Sequence, residues 1–116
     1  TAGLDPRGRD TVFGLIKDYQ EMTGSTVIIV SHSMEDVARI ATKALVMNKG
    51  EVAMYGTIDE VYSRADELVT IGLNVPQVTR VFMKLKKDGF PISGNIYTVE
   101  QGVQEIIRLK KEGYSL

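Results

Sequence analysis

Residues 26–33 read Thr26-Val27-Ile28-Ile29-Val30-Ser31-His32-Ser33, with Asp36 three residues beyond the second serine. An uninterrupted β-branched run, closed by a polar turn and followed by a helix start, is the pattern of a parallel strand buried on both faces of an α/β sheet. In such sheets ligands are met at the carboxyl ends of the strands, so the segment is expected to deliver His32 to that edge. On this pattern alone His32 is either a polar residue that ends a strand or a side chain that works there.

Toward the N-terminus, Leu4-Asp5-Pro6 has the chemistry of a helix start, because Asp5 can cap and Pro6 suits the first helical position. The helix is expected to run to about Thr23 and to stop at Gly24. Val12, Phe13, Ile16 and Tyr19, with Leu15 beside them, form one stripe to lay on a sheet.

Toward the C-terminus, Ser33 and Asp36 have capping-box spacing and open a short helix to about Ala41. Ala44–Met47 and Glu51–Tyr55 read as strands joined at Asn48-Lys49-Gly50. Thr57 and Glu60 form a second capping box, opening a helix with Ile58, Val61 and Tyr62. Residues 63–73 lack sustained periodicity and read as a partly helical connector. A helix capped by Asn74 then carries Val78, Val81, Phe82 and Leu85 inward and stops at Gly89. A link with Pro91 and Gly94 leads to a third capping box, Thr98 and Gln101. It opens a last helix with Val99, Val103, Ile106 and Ile107 on one face and Gly113 at its end. The two helices are expected to form an αα-hairpin, whose apolar faces need each other or a partner.

The 116 residues suffice for one ordinary domain, or a small domain and part of another. A formal charge of −1 gives no nucleic-acid footprint, although residues 1–62 carry −3 and residues 74–116 carry +3. With no cysteine and one histidine, neither disulfides nor a dedicated metal site is expected. No apolar run reaches membrane-spanning length and no secretory signal is visible. A serine nucleophile at Ser31 or Ser33 would need a base and an orienting group that the sequence does not supply.

The opening Thr1-Ala2-Gly3-Leu4-Asp5-Pro6-Arg7-Gly8-Arg9, taken with residues 26–33, resembles the D-loop and H-loop of ABC-transporter ATPases, with a helix and a strand of suitable length between them. The series VIIVSHSMEDVARIATKALVMNKGEVAMYGTIDEVY is similar to the end of that ATPase core, departing at Thr42-Lys43, where an acidic residue followed by a basic one is more usual. The stretch GLNVPQVTRVFMKLKKDGFPISGNIYTVEQGVQEII resembles the C-terminal extension of the energy-coupling-factor ATPases, through Pro76, Val78, Thr79, Thr98, Val99 and Glu100; Gly102 stands where alanine is commoner.

The resemblance implies an α/β fold: the C-terminal part of a P-loop NTPase domain at 1–62, a connector at 63–73 and a small helical hairpin extension at 74–116. It implies that His32 is the switch histidine, reaching the γ-phosphate and helping to fix the attacking water. Ala2, Gly3, Leu4 and Asp5 become the D-loop, which crosses to a second subunit, and Asp5 is compatible with both that role and its cap. Val78, Phe82, Leu85, Val103 and Ile107 become an association face. The whole protein would use ATP and magnesium and pair with a second ATPase subunit. It would act with a transmembrane coupling subunit at the cytoplasmic face of the cell membrane, driving uptake of cobalt, nickel or a vitamin.

The sequence contains no G-x-x-x-x-G-K-[ST], whose amides and lysine would cradle phosphates. By the resemblance, the chain begins just after the carboxylates that hold magnesium and polarise water. These 116 residues alone are therefore expected neither to bind nor to hydrolyse ATP. The alternative is a non-catalytic dimerisation domain whose work is done from Asn74 onward.

Overall fold

The computed structural model describes residues 3–116, in two compact units that divide between His32 and Ser33. In the first, helix α1 (Pro6–Thr23) starts where Asp5 Oδ1 accepts from the Gly8 N–H at 2.7 Å. It ends where Gly24 turns left-handed and donates its N–H to the Gln20 carbonyl. Both ends fall where the sequence puts them. Of the expected stripe, Phe13 is buried, Val12 and Ile16 are half-buried, and Leu15 and Tyr19 are exposed.

The strand expected at 26–30 is not formed. The segment is without regular secondary structure, and Ile28 and Val30 are 87% and 93% exposed. A parallel strand exists only through its neighbours, and the one sheet among the described residues is an antiparallel pair elsewhere in the chain.

The second unit comprises α2 (Met34–Ile40), β1 (Lys43–Asn48), β2 (Glu51–Thr57), α3 (Ile58–Tyr62), α4 (Ala65–Thr70), α5 (Gln77–Lys87) and α6 (Val99–Lys111). β1 and β2 form a hairpin whose two-residue turn places both Lys49 (φ 51°) and Gly50 (φ 76°) in the left-handed region. Such turns match the twist of paired strands, and glycine enters that region without the steric cost of a Cβ. Val46 pairs with Met54, and both are buried, whereas the pair Leu45 and Tyr55 points the other way and is exposed. Onto the buried face pack Met34, Ile58, Val61, Tyr62, Ala65, Leu68 and Val75. Leu68 is wholly buried, so the expected connector contributes a helix, α4, to the core.

The expected αα-hairpin is also not formed: α5 and α6 run in the same direction. The starts of the two helices meet where the Thr79 hydroxyl donates to the Ile96 carbonyl at 2.7 Å and where Val78 and Phe82 approach Gly102. Their ends meet where Phe90 packs edge-on against Tyr114. The link between them returns along α5, which it can do because an extended residue covers about 3.3 Å against 1.5 Å for a helical one. Buried Glu105 fastens this link, accepting from the Ser93 N–H (3.3 Å) and hydroxyl (2.8 Å), while Arg108 bonds to Glu105 and donates to the Pro91 carbonyl at 2.6 Å.

Gly102 is therefore a contact point. A Cβ there would lie 2.9 Å from Val78 Cγ2 and 3.1 Å from Phe82 Cε2, and the valine is stiff about χ1. Gly102→Ala gains roughly 0.5–1 kcal/mol of helix propensity but overpacks the seam at a cost of about 1–3 kcal/mol. We expect a net loss of about 1 kcal/mol in urea unfolding, and a larger one for Gly102→Val; a more stable alanine variant would show that the seam yields.

Candidate functional site

His32 is exposed and lies in the bend that precedes α2. Its chain neighbour Ser33 caps α2, with Oγ accepting from the Asp36 N–H at 3.3 Å. The irregular segment, the exposed imidazole and the capped helix follow one another in the order read from the sequence. A neutral imidazole both donates and accepts a hydrogen bond, which neither lysine nor arginine can do.

The start of α2 is held from two directions. The Tyr62 hydroxyl donates to the Met34 carbonyl at 2.6 Å in the interior, and Tyr97 packs edge-on against the Tyr62 ring with centroids 5.3 Å apart. Glu35 Oε1 accepts from the Gln77 N–H at 3.2 Å, at the start of α5. This corrects the expectation that Asn74 caps α5: Asn74 Oδ1 instead accepts from Arg80, and α5 has no side-chain cap at its own N-cap position. Neither tie was found from the sequence, because each joins residues far apart in the chain.

Of the expected D-loop, Ala2 lies outside the described residues. Gly3 has φ 95° with open space where a Cβ would stand, Leu4 is exposed, and Asp5 is engaged in capping α1. The expected association residues separate into two groups. Phe82 is buried, and Val78 and Leu85 are half-buried. Val103 and Ile107 are exposed, together with Val99 and Ile106, because α6 turns Gly102, Glu105 and Leu109 inward.

His32 presents an accessible imidazole. Two shallow hollows, one lined by Ser93, Asn95, Glu105 and Arg108 and the other by Asp66, Met83 and Lys84, include neither His32 nor residues 3–5. No helix among the described residues is long and apolar enough to cross a membrane.

No family model matches the chain. Among the known proteins it is similar to are ATP-binding proteins of energy-coupling factor transporters, with which it is homologous over nearly its whole length. It is 49% identical over 109 residues to the energy-coupling factor transporter ATP-binding protein EcfA2 of Clostridium tetani, a match that covers 94% of this chain and 38% of that protein. It is 49% identical over 110 residues to EcfA2 of Clostridioides difficile, with the same coverage. Against EcfA1 of Clostridium perfringens it is 39% identical over 110 residues, covering 95% of this chain and 39% of that protein. The chain thus spans well under half the length of these relatives.

Burial, followed by the neighbouring Tyr97, pushes the Tyr62 phenol well above its usual value. A raised folded pKa means that the stabilisation is fully present below the unfolded value, about 10, and is lost as pH rises toward the folded one. Stability should therefore decline above pH ~10. In Tyr62→Phe this part of the decline should be absent, which denaturant melts of both chains between neutral and strongly alkaline pH would check.

Proposed function

We propose that the chain is the histidine-switch portion and helical extension of an energy-coupling-factor ATP-binding protein. The observation that carries this reading is 49% identity over 109 of the 116 residues, a span that cannot leave out His32. The 49% identity to two EcfA2 relatives, against 39% to the EcfA1 relative, favours the former type. The geometry of His32 agrees: it is exposed, it lies next to a capped helix start, and it is free to meet a ligand that another part of a longer protein holds.

In that reading the nucleotide would supply the reacting phosphate and a bound magnesium would neutralise its charge, with the phosphate cradle contributed from outside these residues. His32 contributes positioning, holding a hydrogen bond on the phosphate side and another on the attacking water. Leu4 and Asp5, with Ala2 and Gly3, face a second ATPase subunit. The assembly would work with a transmembrane coupling subunit at the cytoplasmic membrane face, and cobalt, nickel or a vitamin is the class of cargo.

A chimera in which these residues replace the matched stretch of the Clostridium tetani relative would test this. We expect ATP hydrolysis that His32→Ala lowers in kcat by about 100-fold or more, with little change in KM. The 116-residue chain alone should be inactive. Hydrolysis by the chain alone, or a chimera indifferent to His32→Ala, would overturn the proposal.

The exposed stripe of α6 favours a second, compatible role in subunit association. Ile107 is 43% exposed and Phe82 only 4%, so charge should act differently at the two positions. Ile107→Glu should weaken self-association in sedimentation experiments while leaving the melting temperature nearly unchanged. Phe82→Glu should unfold the unit.

A further inference from the structure

We infer that Tyr62 and Glu35 are positioning residues that couple the α5–α6 pair to the chain segment bearing His32, an inference that rests on reading His32 as the working side chain. α2 has only seven residues, too few to hold a helical shape unaided, so its first turn takes its geometry from what anchors it. Two of its long-range ties lead toward the C-terminal helices. From α6, the Gln101 side chain accepts from the Tyr97 N–H at 2.8 Å, Tyr97 packs on the Tyr62 ring, and the Tyr62 hydroxyl reaches the Met34 carbonyl. From α5, the Gln77 N–H is taken by Glu35.

The two anchors differ in strength. The Tyr62 bond is buried, so losing it leaves the Met34 carbonyl without that partner away from water. The Glu35 bond is exposed and longer, but α5 has no side-chain cap at its N-cap position, so the same oxygen serves both elements. Met34 and Glu35 follow His32 after one intervening residue, the cap Ser33. A displacement of α5 and α6, as on association through α6, is therefore passed to the first turn of α2, whose cap Ser33 follows His32 in the chain.

The test uses the 116-residue chain, whose single histidine gives one Cε1–H imidazole signal in proton–carbon spectra, followed here as the His32 signal. Tyr62→Phe keeps the ring and removes the hydroxyl, Tyr97→Leu removes the ring from the α6 side, and Glu35→Ala removes the acceptor. Each should move the His32 signal, and Tyr62→Phe should speed amide exchange of Val37–Ala41 by about 5- to 10-fold, with the β1–β2 amides as control. Glu35→Gln keeps an acceptor oxygen and should restore most of the wild-type position. A His32 signal unmoved in all three variants, even with lowered melting temperatures, would make these residues structural only and overturn the inference. Should either tyrosine variant fail to fold, the exposed Glu35 pair decides: an unmoved signal in Glu35→Ala overturns the inference. No nucleotide is involved, so this outcome is independent of whether His32→Ala silences the chimera.

Discussion

A two-stranded hairpin is marginal in water, and this one has a single covered face. The main core of residues 33–116 is built by closing that face over Val46 and Met54. The Thr57 capping box starts α3 directly at the end of β2, which folds Ile58, Val61 and Tyr62 back onto the strands. Burying a tyrosine obliges its hydroxyl to find an acceptor inside. The acceptor is the Met34 carbonyl, so the closure that completes the core also fixes where α2 begins.

What the sequence reveals and what it conceals divide along the range of the forces involved. The caps at Asp5, Ser33, Thr57 and Thr98 and the turn at Lys49-Gly50 were legible, because each is satisfied within a few residues. The strand at 26–30 was not, because a β-branched run states a preference for neighbours without supplying them. The direction of α6 relative to α5 was misread for a similar reason: a link long enough for a hairpin is also long enough to return. Gly102, which looks like a defect in a helix considered alone, is explained once Val78 and Phe82 are beside it.

The candidate site follows the same division. The position of His32, in a turn just before a capped helix, is written locally and is found there. Its exposure, the ties through Tyr62 and Glu35, and the outward turn of Val103 and Ile107 are set by packing at a distance. Apolar side chains at Ile28, Val30, Leu45, Met47, Val52 and Tyr55 remain uncovered among the described residues. Their alternation in the hairpin is that of a sheet patterned for burial on both sides.

The common direction of α5 and α6 also has an electrostatic consequence. Peptide dipoles aligned in two neighbouring helices bring two partial negative ends together, where an antiparallel pair would set opposite ends side by side. Lys84, Lys86 and Lys87 occupy the last turn of α5, and Arg108, Lys110 and Lys111 that of α6. These cations, which in sequence look like ordinary surface charge, offset the repulsion between carbonyl ends. The positive balance of residues 74–116 is thus tied to the handling of two parallel dipoles, and salt, by screening both, should leave the helix pair little altered.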